Sequence, residues 1–530
     1  MKPTPLSRRG FLSLAGGALA LLARPSRSED PVPAFALEEA TLSQLQATLR
    51  SGQLSAESLA QAYLERIERL DRSGPALNSI IELNPEALEL ARALDQERRA
   101  GKVRGPLHGL PLLLKDNIDT GDRMLTTAGS LALVGAPAAQ DAAIATRLRR
   151  AGALLLGKTN LSEWANFRSS RSSSGWSGRG GLTRNPYALD RNPCGSSSGS
   201  GVAVSANLCA AAIGTETDGS IVGPASFNGV VGLKPTLGLV SRSGIIPLSH
   251  SQDTAGPMTR SVADAALLLN ALAGPDPRDP ATAACPPVPD YTKALDRAGL
   301  KGARLGVVRN FFGFSEGVDR RMEECLAALR HLGAELVDPV ELPNLGKYED
   351  TELEVLLWDF KADLNGYLSG RSGVPVSSLA ELITFNESHA ERELPYFGQD
   401  LLLKAQAKGD LSNPEYLNAQ ELNHRLSRTE GIDALLATHH LDALVAPTAG
   451  PAWLTDLVNG DHYGGGCSTP AAVAGYPHLT LPAGAIRGLP VGLSFFAGAW
   501  SEPLLLKLAY AFEQGTQARQ PPQFLPTLPL

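Results

Sequence analysis

The chain has 530 residues, a formal net charge of −7 and 43% hydrophobic residues. That is enough apolar sequence for a large core. Length alone would allow several domains, although large α/β enzymes often fold as one unit. No basic stripe and no interleaving of aromatic with basic residues is present, which argues against a nucleic-acid partner.

The N-terminus carries Ser7-Arg8-Arg9-Gly10-Phe11-Leu12, followed by an apolar run from Leu12 to Ala23. A bilayer span needs about 20 apolar residues, and this run falls short of that. A basic segment before a short apolar one reads as a cleavable twin-arginine export signal, here assigned to residues 1–28. Both Ala18-Leu19-Ala20 and the position after Ala23 qualify as cleavage sites. The expectation is a protein passed folded to the twin-arginine machinery, working in the periplasm or outside the cell. No stable membrane insertion is expected once the signal is removed.

Residues 36–530 are expected to form the folded domain. Leu37 to Asp71 reads as two amphipathic helices; Ser55 can cap the second, in which Leu59, Ala62, Tyr63, Ile67 and Leu70 repeat at helical spacing. Leu110 to Leu114, ahead of Lys115-Asp116-Asn117, has the short apolar run of a buried strand. Asp141 to Ala151 reads as a helix, and Ala153 to Leu156 as a strand running into Gly157-Lys158-Thr159-Asn160. Ala203 to Ala212 reads as a helix of small residues, with Ile213 to Thr217 as a strand behind it. Further strands are expected at Ala443–Ala446, His478–Leu481 and Val491–Phe496. Strands alternating with helices indicate an α/β fold built on a large mixed sheet covered by helices on both faces. The stretch 274–435 differs in texture. It is richer in charged helical sequence, as in Glu352 to Leu368 and Pro414 to Leu435, and reads as a helical insertion that shapes the substrate site.

The five cysteines, Cys194, Cys209, Cys285, Cys325 and Cys467, are odd in number, widely spaced and without a Cys-x-x-Cys pair. They read as small thiols, of which at most one or two pairs could oxidise. The nine histidines include no His-Glu-x-x-His, and His439 and His440 are adjacent, so neither a metal nor another cofactor is expected.

The stretch Asn192 to Pro224 packs serines and glycines around small apolar residues and ends in Asp218-Gly219-Ser220. Serine hydroxyls and backbone N–H groups gathered in one place are the equipment of acyl transfer. Gly195-Ser196-Ser197-Ser198-Gly199 formally matches the nucleophile elbow, with Ser197 as nucleophile. That motif needs a hydrophobic strand directly before it, and Tyr187 to Cys194 is polar and broken by proline. The Ser-x-x-Lys arrangement also fails, because no lysine follows a serine at that spacing. A lysine without that spacing can still be the base. An exposed lysine titrates near ~10.4, but burial can lower it by several units. Lys115, Lys158 and Lys234 all sit at or near strand ends and compete on local grounds.

Six blocks in order resemble the signature of the amidase signature family. They are Gly109 to Asp116, Gly157 to Asn160, Gly195 to Ser200, Gly214 to Ser220, Gly232 to Thr236 and Gly488 to Gly492. The resemblance covers nearly everything after the signal and implies the amidase signature fold. It implies a Ser–cis-Ser–Lys triad in which Ser220 attacks the amide carbonyl, Ser196 relays the proton through a cis peptide, and Lys115 is the neutral base. Backbone N–H groups of Thr217, Asp218, Gly219 and Ser220 would hold the oxyanion, and the resemblance favours a structural or oxyanion-loop role for the Asp218 side chain. Many members carry Gly-Gly-Ser-Ile-Arg at the nucleophile; here Asp218 replaces the first glycine and Val222 the arginine. This is similar to bacterial peptide amidases. The expected activity is hydrolysis of a primary carboxamide, such as a peptide C-terminal amide, to carboxylate and ammonia. An aryl-amide or ester hydrolase, or a catalytically silent secreted binding protein, are the alternatives.

Overall fold

The computed structural model describes residues 36–529, so the export signal assigned to 1–28 lies outside the described residues. Two helices open the described chain, Leu42–Ser51 and Ala56–Ile67, each closed at its start by a capping box from Thr41 and Ser55. The second packs Leu59, Ala60, Tyr63 and Ile67 inward, at the spacing that the sequence predicts.

The core is one mixed sheet of 11 strands. In chain order the strands are β1 (Ile80–Leu83), β2 (Pro111–Lys115), β3 (Leu154–Thr159), β4 (Trp176–Ser177), β5 (Gly181–Leu182), β6 (Ala211–Glu216), β7 (Val231–Lys234), β8 (Thr254–Thr259), β9 (Arg304–Val308), β10 (Glu335–Val340), β11 (Ala443–Pro447), β12 (His478–Ile486) and β13 (Leu489–Phe496). The sheet order is β1-β3-β2-β6-β8-β7-β12-β13-β11-β9-β10, while β4 and β5 make a separate two-stranded ribbon. Every residue of β2, β3, β6, β7 and β8 is buried. Both faces of these strands must therefore be covered by helices, which explains why they read as continuous apolar runs rather than as alternating ones.

Two expectations are corrected. The helix placed at Ala203–Ala212 spans Ser198–Ser205 instead, and β6 begins at Ala211. The chain leaves the helix at Asn207, whose φ of 58° is left-handed, and the small residues that read as helix form the turn and strand start. The stretch 274–435 is not wholly helical. Its first part adds β9 and β10 to the sheet around the helix Glu316–His331. From Glu349 onward it is helical as expected, beginning with Glu349–Ser369. β9 pairs parallel with both β11 and β10, so this arm extends the sheet rather than capping it.

The helical part is fastened to the segment that follows β3 by a buried charge cluster. Arg168 is fully buried, donates to Glu163 at 2.6 Å, and also donates to the carbonyl of Glu393 from the short helix Ala390–Glu393. Its guanidinium lies 4.1 Å from the ring centroid of Phe397. Burial pushes the Glu163 carboxyl up to about 8, although Arg168 opposes it. Removing one partner of such a cluster leaves an uncompensated buried group, which typically costs about 3–5 kcal/mol. Arg168→Leu is expected to lower the denaturation midpoint by a corresponding amount. A midpoint within error of the parent would show that the cluster does not hold the two parts together.

All five cysteines are free thiols, four of them buried. No described helix is long and apolar enough to cross a membrane.

Candidate active site

β2 and β6 are parallel neighbours, with Leu114 opposite Ile213. Their C-terminal ends therefore lie at the same edge of the sheet, where ligands collect in open α/β folds. Lys115 is the last residue of β2 and Glu216 the last of β6. The helix Ser198–Ser205 packs against this edge and presents the serine run at its start. Each serine has its own partner. Ser196 Oγ meets the Lys115 amine at 2.7 Å, and the peptide bond before it, Gly195–Ser196, is cis. Ser197 Oγ donates to the Thr215 carbonyl at 3.0 Å and accepts its N–H at 3.2 Å, which ties the serine run to β6. Ser198 Oγ donates to the carbonyl of Cys194 and Ser200 Oγ to that of Ile213. Gly199 permits the close packing, since a Cβ there would lie 2.2 Å from the Ser79 carbonyl oxygen.

Lys115 is fully buried, and burial lowers its amine to about 7 against the weaker, opposite pull of Asp253 and Glu216. Besides Ser196 it contacts Thr215 Oγ1 at 2.9 Å and the Thr215 carbonyl at 3.2 Å. A neutral amine keeps two hydrogens, which the two Thr215 oxygens can take. The third direction is then its lone pair, facing the Ser196 hydroxyl. The two competing lysines are placed differently. Lys158 donates to the carbonyls of Ile118 and Leu125 and to Thr126 Oγ1, which occupies all three of its hydrogens. Lys234 donates to the Pro235 carbonyl at 3.2 Å, and burial lowers it to about 8.

The turn after β6 runs Thr217-Asp218-Gly219-Ser220. Gly219 has a φ of 73°. Among the described residues none of the N–H groups of these four residues donates a hydrogen bond, whereas the next two are held: Ile221 and Val222 N–H both donate to Glu216 Oε2, at 2.7 and 2.9 Å. Four consecutive free donors above a pinned helix start are the layout of an anion hole. Thr217 Oγ1 donates to Asp253 at 2.5 Å, and Asp218 accepts from Thr469 Oγ1 at 2.7 Å. No histidine bonds to Asp218 among the described residues.

The structure thus brings Lys115 and Ser196 into direct contact. It places Ser220 at the end of the turn, 8% exposed, with its carbonyl accepting the N–H of Ser197 at 3.2 Å. No hydrogen bond joins the Ser220 and Ser196 hydroxyls among the described residues. A cleft of about 290 Å³ opens beside the turn, lined by Cys194, Gly195, Asp218, Gly219, Gly223 and Ser468. A larger hollow of about 500 Å³ around Arg321, Cys325 and Gly484 contains none of the expected residues. Among the described residues no group of acidic, histidine and cysteine side chains could hold a metal ion.

Sequence reasoning missed three residues here: Thr215, Asp253 and Glu352. Glu352 lies on the helix Glu349–Ser369, on the same stripe as the buried Val355 and Asp359. Carboxylates at helical spacing on a buried face were the available signal.

Comparison with known proteins places these features in a wider set. The family model described as Amidase matches residues 58–506. A probable amidase of Arabidopsis thaliana is 41% identical over 502 residues, 93% of each chain. The native peptide amidase of Stenotrophomonas maltophilia superposes with a TM-score of 0.88 at 56% identity, covering 92% of this chain and 99% of the other. A peptide amidase in complex with the competitive inhibitor chymostatin gives a TM-score of 0.90 at 56% identity, covering 92% and 100%.

Proposed function

We infer substrate and steps from the fact that the chain belongs to the amidase signature family and is an amide-hydrolysing enzyme. The proposed substrates are primary carboxamides, chiefly the C-terminal amides of peptides, which are cleaved to carboxylate and ammonia. Support comes from the 56% identity to peptide amidases along nearly the whole chain and from Asp218 and Val222 beside the nucleophile. The observation that carries the chemistry is the buried Lys115 amine, lowered to about 7 and 2.7 Å from Ser196 Oγ.

Ser220 Oγ attacks the amide carbonyl carbon. Its proton passes to Ser196 as the Ser196 proton passes to Lys115. The carbonyl electron pair moves onto oxygen, where the N–H groups of Thr217 to Ser220 hold it. Collapse breaks the C–N bond, and the proton returns from Lys115 through Ser196 to the leaving nitrogen, which departs as ammonia. Water then attacks the acyl-enzyme by the same relay, releasing the carboxylate and restoring Ser220. No cofactor takes part.

The proposal includes export by the twin-arginine route to the periplasm or beyond, which rests on Arg8-Arg9 and the apolar run behind them.

A panel of peptides with amidated and free C-termini, read by ammonia release, tests the substrate class. Amidated dipeptides are expected to release one ammonia each. Turnover confined to aryl amides or esters would replace the peptide reading. Failure of folded protein to label with a fluorophosphonate probe would remove the serine acyl-enzyme from the mechanism.

A further inference from the structure

We propose that Asp253 and Gln252 are positioning residues for the hydrolysis, gripping Thr217 so that the first N–H groups of the Thr217–Ser220 turn keep their aim. The proposal rests on the assignment of that turn to the oxyanion. β6 and β8 are antiparallel, with Glu216 opposite Thr254. One step past both strand ends, this register sets Asp253 beside Thr217. Thr217 Oγ1 donates to Asp253 Oδ1 at 2.5 Å, and Gln252 Nε2 donates to the Thr217 carbonyl at 3.2 Å. Two successive residues thus hold two different atoms of Thr217. Each gripping side chain is itself fixed. Asp253 Oδ2 accepts the N–H groups of Leu248 and Ser249 at 2.8 and 2.9 Å, and the Asp253 N–H donates to the Ser249 carbonyl at 2.9 Å. Gln252 Nε2 also donates to Glu352 Oε1, on the helix Glu349–Ser369, at 2.9 Å. Burial pushes the Asp253 carboxyl up to about 6, against these donors and Arg242. At neutral pH it is therefore ionised, and both oxygens accept.

A peptide carbonyl and the N–H that follows it share one plane and point opposite ways. Holding the Thr217 carbonyl therefore aims the Asp218 N–H. Holding the Thr217 hydroxyl stops its Cα from rotating and so aims its own N–H. The later half of the turn has other ties. The Gly219 carbonyl accepts from the Gly223 N–H, the Ser220 carbonyl from the Ser197 N–H, and Glu216 holds Ile221 and Val222. At Thr217 the grip comes from Asp253 and Gln252. Loosening it leaves the walls of the cleft in place and lets two oxyanion donors drift. The loss then falls on the transition state and spares ground-state binding.

Thr217→Val keeps the shape of the side chain and removes its donor. It is expected to lower kcat about 10²-fold with little change in KM, the size of a misplaced oxyanion donor. Thr217→Ser restores the donor and is expected to recover about tenfold of that loss. Asp253→Asn has one acceptor oxygen and cannot serve both Thr217 and the two loop N–H groups. Its kcat should fall as well, and the Asp253→Asn, Thr217→Val pair should lose no more than the worse single variant, because both break one contact. A peptide aldehyde, whose carbonyl takes up the serine oxygen and becomes tetrahedral, should bind both single variants about 10²-fold more weakly. Affinity for the carboxylate product should stay parental, which also shows that each variant is folded. Parental kcat and aldehyde affinity in Thr217→Val, or single losses that add in full, would overturn the proposal. Ser220→Ala measured alongside separates this from the assignment of the turn. Aldehyde binding lost in Ser220→Ala and kept in Thr217→Val removes the grip alone; binding kept in both removes the assignment with it.

Discussion

Ser220→Ala is expected to reduce ammonia release from an amidated dipeptide by about 10⁶-fold in kcat, the scale seen when a serine nucleophile is deleted from a unit that works together. The substitution removes one oxygen from a residue only 8% exposed and leaves its backbone N–H in the turn. The Glu216 clasp on Ile221 and Val222 does not involve the side chain, so the fold should be unchanged. Peptide binding should persist, which equilibrium binding of an amidated peptide to the variant would show. Retained turnover would remove Ser220 from the role of nucleophile and direct attention to Ser196 or Ser197.

Lys115→Met is expected to lower kcat by about 10²–10⁴-fold, the range of a lost general base. Methionine has similar length and suits a fully buried position, so the effect should fall on turnover and not on folding. In the proposed mechanism the neutral amine is the active form. With the amine lowered to about 7, kcat/KM should rise as pH climbs through about 7 and fall about tenfold for each unit below it. The Met variant should lose this acid limb along with its rate. A change confined to KM, with the acid limb intact, would assign Lys115 to substrate binding.

Much of the site was legible because its parts lie on short, dense blocks. Lys115 ends an apolar strand, and the serines crowd a stretch too rich in hydroxyls for a core and too apolar for a linker. What local reading could not do was choose among Lys115, Lys158 and Lys234, since all three are buried at strand ends. The choice depends on which strands are neighbours, and adjacency of β2 and β6 is a property of the sheet. The edge strand β10 was hidden for a different reason. Its residues are more exposed, as in Glu335 and Pro339, and it sits between charged helices. β8 contains Gly256 and Pro257, which punctuate sequence as loops do, yet it runs through the middle of the sheet.

The complete burial of Lys115 has a consequence for the nascent chain. In an unfolded polypeptide this amine is an ordinary ammonium ion and carries no usable lone pair at neutral pH. The reagent that the proposed reaction needs comes into being only when strands and helices close over it. A ribosome-bound or partly denatured molecule would therefore be chemically inert toward the amides around it. In a denaturant titration, loss of turnover would mark the first entry of water to the end of β2, ahead of any wholesale loss of helix.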